Sequence, residues 1–195
     1  MPASVGNEMI KKQGLDVNLV LKKLLKAIGA EFTTYYYYTL LRNHCVGADY
    51  EGLKEITEDA RLEDRLHFEA LVPRVYELGG DLWRDIRDMA DDAGCPDAYL
   101  PKGLTVKKKH TPKDMENIVK ILLDAERCAV RTYTELVILT QGKDFRTCEM
   151  AMAVLHEEIE HESWFEEYLE GKPSGHFRRG KPGEGPYTQV FRHIE

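Results

Sequence analysis

The run AMAVLHEEIEHESWFEEYLEG, residues 151–171, decides the fold. Within it, HEEIEH (156–161) places two histidines and three carboxylates in six residues, beside Leu155, Ile159, Trp164 and Phe165. The apolar spacing predicts a helix that stops at Gly171-Lys172-Pro173. Such a helix is either a solvated acidic face or one half of a metal site. The rest of the chain decides between them.

The chain has 195 residues, 43% hydrophobic and 31% charged, which suits one soluble domain with a sizeable core. No apolar run approaches the roughly 20 residues of a membrane helix. The N-terminal stretch MPASVGNEMIKKQGLD lacks the apolar centre of a secretory signal. The net charge of -7 argues against binding DNA over the whole surface. The four cysteines form no CxxC pair and are too sparse for a disulfide-stapled secreted domain. A cytoplasmic protein is expected.

Working outward from HEEIEH, three more long helical patterns appear. One runs from about Val17 to Val46, with Asp16 as N-cap and Leu21, Leu24, Leu25, Ile28 and Phe32 on one stripe. The second runs from about Glu51 to Leu78 and stops at Gly79-Gly80. The third starts at Thr111-Pro112 and reaches about Thr140. The HEEIEH helix then runs from about Asp144 to Glu170. Residues 81–94 predict a short amphipathic helix, and 95–110 a loop. The chain therefore divides into an extension (1–15), an all-α four-helix bundle (16–171) and an irregular tail (172–195). The tail is expected to be pinned by Phe177, Tyr187 and Phe191 against a neighbour. Two helical hairpins joined by a long crossover with a short helix describe the architecture.

HEEIEH has a counterpart. Glu158 and His161 are three apart and leave one face of their helix. Asp64 and His67, in LEDRLHFE, have the same spacing. One hairpin arm earlier stand Glu126 and Glu31 respectively. In each hairpin these groups lie roughly 17 residues from the turn, so at 1.5 Å per residue all six share one level, about 25 Å from it. Four carboxylates and two imidazoles buried together repel one another unless cations join them. A dinuclear metal site follows. The register carries an alternative, because Glu63 to His67 and Glu157 to His161 are four apart and also share a face. His156 and Glu160 read as surface or supporting groups, and Glu162, Glu166 and Glu167 as a solvated face. Tyr38 and Tyr133 each stand two turns beyond a ligand Glu. They either hydrogen-bond ligands on the opposite hairpin or pack in the core. Tyr36 and Tyr37 are expected at a subunit contact. Lys107–Lys109 and Arg178-Arg179 read as solvated or inter-subunit charges.

The six-residue set resembles the ferritin-like superfamily, whose di-iron bundles use a Glu from two helices and Glu-x-x-His from the other two. Longer strings, AEFTTYYYY (30–38), EDARLEDRLHFE (58–69), YELGG (76–80), CPDAYLP (95–101), AERCAVRT (125–132), EEIEHESWF (157–165) and PSGHFRRGKPG (173–183), resemble the Dps-like mini-ferritins of archaea and bacteria. The resemblance implies a hollow homo-oligomeric cage, of twelve subunits rather than twenty-four. It implies oxidation of ferrous iron by hydrogen peroxide and storage of ferric mineral, which protects against oxidative stress. It implies two irons per subunit, with manganese or zinc as substitutes, held by Glu31, Asp64, His67, Glu126, Glu158 and His161. By the same analogy Glu126 and either Asp64 or Glu158 bridge the metals. Asp64 departs from the bacterioferritin-like pattern, where a Glu stands. A redox thiol pair or disulfide is implied at Cys95 and Cys128; the alternative is two buried free thiols. Cys45 and Cys148 read as structural. The competing function is a non-storing di-metal peroxidase of rubrerythrin or manganese-catalase type, although the CxxC pairs of a complete rubrerythrin are missing. No DNA or membrane partner is expected.

Overall fold

The computed structural model describes residues 4–106, 109–175, 179–181 and 183–191. Its helices are α1 (Val5–Lys12), α2 (Val17–His44), α3 (Glu51–Glu77), α4 (Ile86–Asp92), α5 (Pro112–Thr140) and α6 (Phe145–Glu170). Short 3-10 turns occur at Ala48–Tyr50 and Thr188–Phe191. No strand occurs among the described residues. Helices α2 and α3 form one hairpin and α5 and α6 the other, with α4 in the crossover.

The helix starts are set by side-chain caps. Asp16 accepts from the amides of Asn18 and Leu19. Thr111 and Asp114 form a reciprocal capping box ahead of α5. Asp144 accepts from the Thr147 amide at 3.1 Å. It also holds both branches of a buried contact with Arg74 at 2.9 Å, joining the end of α3 to the start of α6. The expected boundaries move slightly. Helix α2 ends at His44 rather than Val46 because Cys45 leaves helical geometry (φ −75°, ψ 91°). The short crossover helix covers only 86–92 of the expected 81–94. The segment read as an extension contains α1, capped by Ser4 and anchored by buried Ile10.

The crossover lies tight against α2. The Gly94 amide donates to the Lys26 carbonyl at 2.9 Å. A Cβ at Gly29 would stand 3.1 Å from the Met89 carbonyl oxygen, and one at Gly94 3.0 Å from Lys26 Cβ. Both contacts favour glycine because backbone approaches backbone or near-backbone atoms. Tyr37 is partly buried and packs edge-on against Tyr99 of the crossover at 5.0 Å. Tyr36 is exposed.

The apolar core is in two parts. One surrounds Tyr38, Leu41, Leu53, Ile118, Leu122 and Phe165. The other surrounds Leu24, Ile28, Leu71, Val75, Tyr133 and Val154. On all four long helices a polar layer separates them. Burial of the two apolar ends offsets the cost of holding ionisable groups between them.

Candidate metal centre

That polar layer consists of Glu31, Asp64, His67, Glu126, Glu158 and His161, each no more than 4% exposed. The six residues converge from four helices. Glu31, Asp64, His67 and Glu158 each offer a donor atom within 4.8 Å of the others, and Glu126, Glu158 and His161 do the same. Glu158 belongs to both groups. Its Oε1 lies 2.9 Å from His67 Nδ1 and its Oε2 lies 3.5 Å from His161 Nδ1. The two imidazole rings are 6.3 Å apart and nearly parallel.

Both rings turn the same way. Each presents Nδ1 to the shared carboxylates and Nε2 to a carboxylate outside the six. His67 Nε2 is 2.7 Å from Glu157 Oε2, and His161 Nε2 is 2.9 Å from Glu63 Oε2. The four-apart residues are thus completely buried partners of the histidine on the other hairpin. When Nε2 carries the proton, Nδ1 is left with a free lone pair facing inward. The sequence signal for this was the doubled acid, Glu-Asp-x-x-His and Glu-Glu-x-x-His. Spacing along one helix could not show that each outer acid serves the opposite helix.

The tyrosines resolve in favour of hydrogen bonds to the opposite hairpin rather than packing alone. Tyr38 donates to Glu126 at 2.7 Å and Tyr133 to Glu31 at 2.5 Å, each bond joining the two hairpins. One buried atom of the layer, Asp64 Oδ2, accepts no hydrogen bond among the described residues. Buried polar atoms without partners are costly, and cation ligation relieves that cost.

Ionisation reflects the crowding. Burial raises Glu31 and Asp64, and neighbouring carboxylates add to it. Burial pushes Glu126 up to about 8, with His161 opposing and Glu158 reinforcing. Glu158 goes the other way: burial opposes its charge, but hydrogen bonds from both histidines hold it below the ordinary carboxylate range. Burial works against charging His67 and His161, yet the surrounding carboxylates win and raise both. Counting Glu63 and Glu157, six buried carboxyl groups face two imidazoles and Arg179. Such a layer suits divalent first-row transition metals with mixed oxygen and imidazole ligation.

Cys95 of the crossover and Cys128 of α5 are joined by a disulfide. Between Cys95 and the polar layer lies a narrow cavity, bounded by Ala27, Ala30, Thr34, Ala129 and Thr132. It leaves about 10 Å³ for the centres of water-sized molecules, roughly one such molecule. Cys45 and Cys148 are buried free thiols.

A ferritin-like domain model matches residues 21–172. The chain belongs to the ferritin-like family. It is 63% identical over 183 residues to the DNA protection during starvation protein of Pyrococcus furiosus, covering 94% of each chain. A solved dodecameric thioferritin, the bacterioferritin-related protein of Bacteroides fragilis, is 27% identical with a TM-score of 0.73 over 85% of this chain and 92% of that one. Dps from Staphylococcus aureus shares the fold at 15% identity, with a TM-score of 0.65 over 77% and 94% of the two chains. Among the described residues, no helix of this ferritin-like chain is long and apolar enough to cross a membrane.

Some expectations for the ferritin-like chain need correction. Arg179, read as solvated or inter-subunit, is an internal ion-pair partner of Glu63 at 2.9 Å and of Glu160 at 2.5 Å. Glu162 and Glu166 are not simply solvated, because both pair with Arg127 of α5. The tail rests on its own bundle. Tyr187 packs on His156 at 4.8 Å and Phe191 on the Leu24–Val154 core. Phe177, Arg178, Lys107 and Lys108 lie outside the described residues.

Proposed function

We propose that the protein is a mini-ferritin whose substrate, ferrous iron, binds two ions per chain at the polar layer and is oxidised there by hydrogen peroxide. The resulting ferric ions pass to storage in a homo-oligomeric cage of twelve subunits in the cytoplasm. One observation carries this reading: two donor groups meet at Glu158, one of whose oxygens faces each histidine. Glu31, Asp64 and His67 would complete one ion position, Glu126 and His161 the other. Glu158, which alone belongs to both donor groups, would be the carboxylate shared between the two ion positions, in place of Glu126 or Asp64. The 63% identity to a DNA protection during starvation protein, and the fold shared with a dodecameric thioferritin, support the storage role.

The reaction balances as two ferrous ions, one hydrogen peroxide and two protons giving two ferric ions and two waters. Each iron loses one electron and peroxide gains two, so a site that supplies both electrons together avoids a free hydroxyl radical. The chain's own groups do the rest. Carboxylates release protons as cations enter, and Glu126, raised by burial, is a proton source at neutral pH. Glu63 and Glu157 hold the imidazoles with Nδ1 inward. The apolar parts of the core exclude bulk water. Cys95 and Cys128 are assigned as a redox pair beside the route to the layer.

The test is an anaerobic ferrous titration followed by peroxide, with absorbance and size-exclusion mass recorded together. Two irons oxidised per chain in a particle of about twelve chains is the expected result. Rapid peroxide turnover without retained iron, in a small oligomer, would replace this reading with the non-storing peroxidase.

A further inference from the structure

The residues after α6 have no helical pattern, yet they reach both outer carboxylates of the metal centre. Arg179 Nε donates to Glu63 Oε1 at 2.9 Å. Its guanidinium also lies over the Trp164 ring at 4.9 Å, and Trp164 lies 5.0 Å from His161. On the other half, Glu157 Oε1 accepts from the amides of Tyr187 and Thr188, both at 2.8 Å. The Thr188 hydroxyl donates to Glu157 Oε2 at 2.9 Å. Gly185 rests directly on the same carboxylate, where any Cβ would overlap it.

A carboxylate offers about four acceptor directions. At Glu157 the tail fills those not used by His67. At Glu63 an arginine fork and His161 share the group. Neither carboxylate can swing without breaking bonds to the tail. Each therefore fixes the direction in which its histidine presents Nδ1.

We infer that the tail is a positioning strap for the metal centre, with Arg179 acting through Glu63 on the His161 half, and Gly185 and Thr188 acting through Glu157 on the His67 half. This rests on the two-metal reading above. The division of labour is what distinguishes it from a tail that merely adds stability, because each contact touches one half of the centre only.

The experiment uses the full chain with Trp83→Phe, which leaves Trp164 as the single indole reporter beside His161. Anaerobic cobalt(II) titration is followed by visible absorbance for total ligation and by Trp164 quenching for the His161 half. The parent is expected to bind two cobalt ions per chain. Arg179→Gln should weaken the quench-reporting ion by 10-fold or more, with the other ion unchanged. Arg179→Lys, which keeps the charge, should recover part of the loss. Gly185→Ala should leave the quench curve in place and weaken the second ion by a similar factor. Thr188→Val supplies a milder version should Gly185→Ala not assemble. Wild-type affinity for both ions in the Arg179 and Gly185 variants would overturn the strap, and so would equal weakening of both ions in either one. A parent that binds fewer than two cobalt ions would overturn the metal centre itself, a separate outcome visible before any tail variant is made.

Discussion

Tyr133 donates its phenolic proton to Glu31 at 2.5 Å, from α5 of one hairpin to α2 of the other. Tyr38 and Glu126 repeat the arrangement in reverse. The hairpins are therefore stitched twice at the level of the polar layer. Both tyrosines are raised by burial and by nearby carboxylates, so they stay protonated as donors. Tyr133→Phe removes the donor and leaves a buried Glu31 oxygen short of a partner. The metal-free protein should lose about 1–3 kcal/mol. Saturating metal should shrink that deficit, because a bound cation takes over the oxygen. Thermal unfolding with and without metal checks this, and an equal deficit in both conditions counts against it.

Much of the layer was legible because the bundle obeys a simple rule: equal distance from a turn gives equal height. That rule set Glu31 level with the acids ahead of His67, and Glu126 level with those ahead of His161; the choice of Asp64 over Glu63 and of Glu158 over Glu157 came from the resemblance to the ferritin-like pattern. The outer acids were only half legible. Glu63 and Glu157 share a face with their own helix's histidine, yet each bonds the histidine of the other hairpin. Such a choice depends on how α3 and α6 face each other, which one-helix spacing does not encode. The tail was legible least. Arg179, Gly185 and Thr188 lie in a glycine- and proline-rich stretch with no period, and their role arises from long-range contact with buried carboxylates. Helix α1 was missed because it is only eight residues long and buries a single apolar side chain, Ile10.

The Cys95–Cys128 disulfide closes a sequence separation of 33 residues and ties the crossover to α5. Unfolding in denaturant without reductant should expose two reactive thiols per chain, from Cys45 and Cys148, and four after reduction. Four before reduction would show that the bond is absent. By the chain-entropy account Cys95→Ser should cost about 3–4 kcal/mol of stability under oxidising conditions and little under reducing ones. The comparison of the two conditions separates the cross-link from any packing change at the serine.

Arg74 and Asp144 are 7% and 2% exposed at their side chains and meet through one guanidinium nitrogen and both carboxylate oxygens. Arg74 also donates to Thr147, and Asp144 caps α6. Removing Asp144 leaves the buried Arg74 with the more exposed Glu77 as its remaining counter-charge and frays the helix start. Asp144→Ala should destabilise by about 3–5 kcal/mol. Replacing Arg74 and Asp144 together by Met and Asn should cost less than Asp144→Ala alone, because no uncompensated charge remains. Urea unfolding at matched protein concentration decides; a double variant as unstable as the single would point to lost packing instead.

Asp59 sets a pH window away from the layer itself. It is 3% exposed, and its Oδ2 has no partner among the described residues. Burial raises its carboxyl from 3.8 to about 6, and Glu63 one turn away adds to the rise while Arg179 opposes it. A folded-state value above the unfolded one means that the folded protein binds the proton more tightly. The stabilising contribution of that proton is complete below pH 3.8. It fades as pH rises through about 6, and above that the ionised group is a burden on the fold. Asp59→Asn should therefore match the parent near pH 4 and exceed it above pH 7, by on the order of 1 kcal/mol after allowance for solvent screening. Denaturant midpoints at pH 4, 6 and 8 test the sign directly. A variant that loses stability at pH 8 would mean that ionised Asp59 gains more from Arg179 than burial and Glu63 take away.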